Sequence, residues 1–289
     1  VFSISLQQKQ YKTYILTEEA TNSELEIVPE RGGIITRWRV QGQDILYLDE
    51  ERFANPELSV RGGNPILFPI CGNLPDNIYT HNGKRYTLKQ HGFARDLPWI
   101  AVASMSEEGV SLQAVLDTTQ PTQAVYPFDF QLTFTYQMKG NGLTIDQHYT
   151  NKSSEPMPFS SGFHPYFLTQ DKTQLEFEIP SQEYVNHKTG ELQPFNGNFD
   201  FNQDEIDVAF KQLSGNSATV VDRSRRLKLT LEYEDIFSTL VFWTLKGKDF
   251  YCLEPWSAPR NAINTGEKLT VLEPGASLST SVKLTADFF

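Results

Sequence analysis

Short runs that alternate apolar and polar residues, separated by glycine, asparagine and aspartate turns, recur along this chain from one end to the other. Residues 110–116, 130–136, 143–149, 227–233 and 278–284 all alternate in this way. A period of two belongs to a strand with one buried face. His81-Asn82-Gly83-Lys84 and Lys139-Gly140-Asn141-Gly142 each stand between two such runs, with the turn chemistry of tight hairpins. The first fifty residues follow the same pattern in pieces, at residues 14–16, 25–28, 34–40 and 45–48, with turns at Gly32-Gly33 and Gln41-Gly42-Gln43-Asp44. One short piece, residues 205–213, reads as helix. Many strands spaced by turns, without crossover helices, bury their apolar faces by stacking antiparallel sheets. The expected fold is all-β, a large antiparallel β-sandwich. No low-complexity run or Pro/Ser-rich linker divides it, so one domain over residues 1–289 is expected.

Composition agrees with strands: 20 Phe and 12 Tyr are present, and long Ala/Leu/Glu/Lys stretches are missing. A net charge of −11 argues against nucleic acid or an anionic membrane as partner. The first ten residues have no basic n-region or apolar h-region, and no stretch approaches the ~18 apolar residues of a membrane span. A cytoplasmic protein is therefore expected. Two cysteines, Cys71 and Cys252, fit a reduced compartment and are read as small buried hydrophobes rather than a bridge or nucleophile.

Two distant segments set an ionisable side chain among aromatics and prolines: Gly162-Phe163-His164-Pro165-Tyr166-Phe167 and Cys252-Leu253-Glu254-Pro255-Trp256. A lone histidine in such a place is more often a satisfied core residue than a catalyst, and a lone glutamate can belong to a structural ion pair. Together on a rigid scaffold they form an acid/base pair suited to neutral pH. Arg61-Gly62-Gly63-Asn64-Pro65 places a guanidinium beside backbone read as flexible, against the plainer reading of a solvated turn. His91-Gly92-Phe93-Ala94-Arg95 adds two polar groups, of which Arg95 has Asp96 as an alternative partner. Signatures of dinucleotide, phosphate-loop, zinc-protease and nucleophile-elbow sites are absent, and the five histidines show no metal-ligand spacing. No cofactor or metal is expected. Trp243, Trp256 and Phe93 are read as core before they are read as platforms for a sugar face.

These segments, in this order, resemble the aldose 1-epimerase (galactose mutarotase-like) superfamily, nearest to a bacterial branch related to hexose-6-phosphate 1-epimerases. Residues 27–35 and Leu272-Glu273-Pro274-Gly275 extend the resemblance over nearly the whole chain. It implies a β-supersandwich and the interconversion of α and β anomers of an aldose. It also implies roles: His164 as general acid, Glu254 as general base, and Arg61 and His91 as groups that hold the sugar. Asp207 is the best match to a sugar-binding aspartate, with Asp222 as competitor. A nearby carboxylate is expected to favour imidazolium at His164. The implied partner is a small sugar or sugar phosphate, the latter if Arg61 and Arg95 grip phosphate together. A catalytically silent sugar-binding module and a two-carboxylate glycoside hydrolase are the competing readings. The first would be free to lose the acid or base, and the second leaves His164 unused.

Overall fold

The computed structural model describes residues 1–106 and 109–289. It is 51% strand and 9% helix, so the alternating pattern was read in the right period nearly everywhere. Two eight-stranded antiparallel sheets dominate. The first runs, in spatial order, Leu175–Glu178, Ser217–Asp222, Leu227–Tyr233, Ser277–Phe288, Gly142–Asn151, Phe130–Lys139, Gly109–Asp117 and Ile100–Ser106. The second runs Leu192–Pro194, Glu183–Asn186, Glu205–Phe210, Thr239–Leu245, Phe250–Trp256, Gly162–Phe163 and Ile66–Leu67, with Tyr166–Leu168 also paired to Phe250–Trp256. A five-stranded sheet, Phe2–Gln8 through Gln43–Asp44, precedes them in the chain.

Alternate side chains of the two large sheets share one buried cluster. Leu112, Phe134, Ile145, Leu229 and Leu284 come from the first, and Val208, Leu240, Phe242, Tyr251 and Leu253 from the second. Each such buried side chain contributes roughly 1.5–3 kcal/mol, which fixes which face of each strand points inward. The opposite face of the second sheet therefore presents Glu205, Asp207, Val241, Trp243, Cys252, Glu254 and Trp256.

Residues 205–213, read as helix, are a strand over Glu205–Phe210. Ile206, Val208 and Phe210 fit the period of two equally well, and pairing with Thr239–Leu245 on one side decides in favour of the strand. Among the described residues α-helix occurs instead in three short pieces, Glu50–Ala54, Gln120–Val125 and Ala262–Thr265. Gln120–Val125 carries a sequence-legible start, with Thr119 and Thr122 forming a capping box and Pro121 in the first turn. Among the described residues no helix is long and apolar enough to cross a membrane.

Candidate active site

The register of three neighbouring strands builds the floor of a pocket. Asp207 pairs with Trp243, Trp243 with Cys252, and Val241 with Glu254, so alternate residues of each strand converge on one face. On the other side of Phe250–Trp256, Gly162 pairs with Trp256 and Tyr166 with Cys252. His164 thus falls opposite Glu254. The ladder is interrupted there: Pro165 has no N–H, and the His164 N–H instead donates to the Pro65 carbonyl at 3.0 Å. Freed from the ladder, the imidazole stacks on Tyr166 (centroids 4.7 Å, interplanar 13°) and meets Trp243 edge to face. Its Nε2 lies 3.4 Å from Glu254 Oε1.

The segments bearing Arg61 and His91 close the other walls. Gly62 and Gly63 are packed closely against neighbouring backbone. Gly63 has φ +61°, and a Cβ there would stand 2.2 Å from the Ile35 carbonyl oxygen. Its N–H donates to Tyr47 O, and its carbonyl accepts from Tyr166 N–H, stitching the Arg61 segment to the His164 segment. His91 also has positive φ, +66°, and Gly92 follows it so tightly against the Phe68 carbonyl that a Cβ would sit 2.2 Å away. This bend lets His91 Nδ1 accept from the Gly72 N–H at 3.0 Å, leaving Nε2 as the N–H donor of a neutral ring. Burial holds the His91 pKa well below the ordinary histidine value, with Arg95 adding to the effect.

The resulting cavity, about 260 Å³, is lined by Arg61, His91, Arg95, His164, Asp207 and Glu254, together with Gln90, Tyr166, Glu205, Trp243, Trp256 and Arg260. All six site residues expected from the sequence are brought together. Asp222 is not: it is buried elsewhere, accepting from Thr169 Oγ1 at 2.8 Å and from Ser224 Oγ and the Arg225 N–H. A larger cavity of about 480 Å³ lies by the N-terminal sheet. Of its charged groups Glu26 pairs with Lys9 and Arg37, and Asp44 with Arg37 and Arg39, and it holds none of the expected site residues.

The expected imidazolium–carboxylate pair is not the resting state. Glu254 is 1% exposed, and burial raises its pKa well above the carboxylate range. Burial also lowers His164 to about 3, with Arg95 contributing. Removing two charges from water outweighs their mutual attraction across 3.4 Å, so the pair rests as a neutral imidazole beside a carboxylic acid. The Trp256 indole N–H donates to Glu254 Oε2 at 3.0 Å and orients the carboxyl.

Asp207 behaves differently. Burial pushes its pKa up, but the His187 hydrogen bond (Nδ1 to Oδ1, 2.7 Å) and the Arg260 guanidinium (Nη2 to Oδ2, 3.2 Å) outweigh burial and leave it lowered. His187 and Arg260 were not found from the sequence. The only signal was position: Arg260 lies just beyond Glu254-Pro255-Trp256, and His187 just after a strand. Arg95 donates to the Gln90 carbonyl at 2.9 Å rather than pairing with Asp96, and its buried Nε has no hydrogen-bond partner among the described residues. Trp243 and Trp256 line the pocket, whereas Phe93 packs against the core.

Cys71 and Cys252 are buried free thiols. One ligand atom each from His164, Cys252 and Glu254 lies within 4.8 Å of the others, a grouping invisible in the sequence spacing.

This layered antiparallel β fold is a galactose mutarotase-like architecture. A model of the family described as aldose 1-epimerase matches residues 15–285, and the chain belongs to that family of isomerases. It is 45% identical to the Slr1438 protein of Synechocystis sp. PCC 6803, with a TM-score of 0.95 over 100% of both chains. A galactose mutarotase-like protein from Clostridium acetobutylicum shares the fold at 20% identity and a TM-score of 0.84, over 100% of this chain and 99% of that one. A protein of Cenchrus ciliaris named "Putative glucose-6-phosphate 1-epimerase" is 24% identical over 88% of this chain and 79% of its own length.

Proposed function

We propose that this protein interconverts the α and β anomers of a hexose by opening and reclosing the ring through proton transfer between His164, Glu254 and the sugar. The observation that carries this reading is the 3.4 Å approach of His164 Nε2 to Glu254 Oε1 within a cavity lined by hydrogen-bonding groups. Ring opening takes the proton from the anomeric hydroxyl and delivers one to the ring oxygen. The pair holds one proton. Its transfer from Glu254 to His164, aided by sugar hydroxyls that solvate the charges, yields a carboxylate base and an imidazolium acid. After opening, Glu254 holds the anomeric proton and His164 has given up its own. Reclosure on the other carbonyl face returns both. Each positioned group contributes about 10²–10⁴-fold.

The remaining residues hold the sugar. His91 offers its Nε2–H as a donor that neither gains nor loses a proton in the working range. Arg61 donates along the same wall, and Asp207, clamped by His187 and Arg260, accepts from two sugar hydroxyls. Trp243 and Trp256 supply apolar surface.

A specific observation favours a phosphorylated substrate as a second reading. Arg61, Arg95 and Arg260 line one cavity in a chain of net charge −11, and the Arg95 and Arg260 Nε atoms are buried without hydrogen-bond partners among the described residues. The relative of Cenchrus ciliaris bears a name with the same substrate class. Exchange NMR on the anomeric protons of glucose, galactose and glucose 6-phosphate tests both readings. Acceleration for free sugars supports the first, and acceleration confined to the phosphosugar supports the second. Binding without acceleration of any sugar would replace both with a silent carbohydrate-binding module.

A further inference from the structure

We propose that the floor of this pocket is also a site for a thiophilic divalent cation of the zinc class, held by His164, Cys252 and Glu254, and that the bound ion blocks proton transfer. The donors come from adjoining positions of the sheet. Cys252 and Glu254 are two residues apart on one face of Phe250–Trp256, and Tyr166 pairs with Cys252 so that His164 lies beside Glu254. One ligand atom from each lies within 4.8 Å of the other two, and all three residues are buried.

The separation of His164 and Glu254 suits a small tetrahedral ion, with the Cys252 sulfur closing on it from within 4.8 Å. Nitrogen and oxygen ligands at about 2.0–2.1 Å from zinc stand about 3.3 Å apart. The corresponding atoms of His164 and Glu254 are 3.4 Å apart here. Nitrogen, sulfur and oxygen form the donor mixture that a borderline-soft dication accepts, whereas calcium and magnesium require oxygen. Among the described residues, no hydrogen bond or disulfide occupies the Cys252 thiol. Three protein ligands leave a fourth position, and His164 and Glu254 open onto the cavity through which an ion or water reaches it.

Binding sends the thiol proton and the proton held by the His164–Glu254 pair to solvent. It occupies the nitrogen and oxygen that the proposed epimerisation uses. The inhibitory half of the proposal rests on that function; the binding half does not. Among the described residues no other residue accepts from His164 Nδ1, so the site lacks the outer acceptor that usually orients and strengthens a zinc-bound imidazole. The ion is therefore exchangeable, and a chelator removes it.

Cobalt(II) titration of the whole protein tests the binding directly, because a cobalt–thiolate bond gives a near-ultraviolet charge-transfer band. The expected result is one cobalt per chain, with the band present in wild type and Cys71→Ser and lost in Cys252→Ser. Absence of the band in wild type, or its persistence in Cys252→Ser, overturns the site. If Cys252→Ser does not fold, Cys71→Ser decides the matter, because loss of the band in that variant would place the thiolate at Cys71 and overturn the site. In the exchange assay zinc should slow wild type reversibly. Cys252→Ser should need at least about 10-fold more zinc for the same fractional loss, since losing even an outer partner of a ligand costs that much, each protein compared with its own metal-free rate. Equal zinc sensitivity overturns the inhibitory role. Since the cobalt arm contains no sugar, it stands even if no anomer exchange is found.

Discussion

His164 and Glu254, ninety positions apart in sequence, meet side by side at 3.4 Å because Gly162 and Tyr166 pair with Trp256 and Cys252 on the adjacent strand. Both side chains are buried, and burial rather than mutual attraction governs their resting protonation.

Glu254→Gln should lower the anomer exchange rate by about 10²–10⁴-fold while sugar binding persists, because the amide keeps the shape and loses the base. Exchange NMR measures the rate and ligand line broadening the binding. Wild-type exchange in this variant would remove Glu254 from the proposed role.

The same substitution should alter the pH dependence of stability. The folded pKa of Glu254 lies well above its unfolded value of 4.5, so the native state keeps a proton that the unfolded chain releases. The stability this contributes is complete below the unfolded pKa and is lost as pH rises towards the folded one. Between about pH 5 and 9, Tm should therefore fall less in Glu254→Gln than in wild type, as read by thermal melts across that range. Parallel curves would show that the carboxyl is solvated.

His164 gives the opposite sign. Its folded pKa is about 3 against an ordinary 6.5, so its contribution to stability is present above 6.5 and lost as pH falls towards about 3. After subtraction of the uncatalysed reaction, exchange activity should show no acid limb near 6.5. A limb at that value would identify His164 as a solvated imidazole.

Asp207→Asn should raise KM by about 10–100-fold, the loss of charge-assisted bonds to hydroxyls at about 1.5–3 kcal/mol, with a smaller effect on kcat. A fall in kcat at constant KM would place Asp207 in the proton chemistry instead.

Arg95→Ala should impair glucose 6-phosphate exchange selectively if the second functional reading holds. Equal loss for glucose and glucose 6-phosphate, measured side by side, would make Arg95 a structural residue that braces the Gln90 carbonyl.

The sequence alone determined the layered antiparallel fold, because period-two alternation and hairpin turns are local properties that each strand carries by itself. It also carried the short segments bearing Arg61, His91, Arg95, His164 and Glu254, since a histidine or glutamate set among prolines and aromatics stands out without a structure, whereas Asp207 came only from the resemblance. Residues 205–213 were misread because Ile206, Ala209, Phe210 and Leu213 have helical spacing while Ile206, Val208 and Phe210 have strand spacing, and only the strand beside them settles it. Tertiary structure alone separated Asp207 from Asp222: both are aspartates in apolar strands, and the register of the sheet decides that one faces the pocket and the other a buried turn. It alone supplied His187 and Arg260, whose importance is a distance to Asp207 rather than a pattern. The same holds for Cys252 beside the acid/base pair, and for the neutral state of that pair. Desolvation depends on everything packed around a group, and no run of neighbours in sequence encodes it.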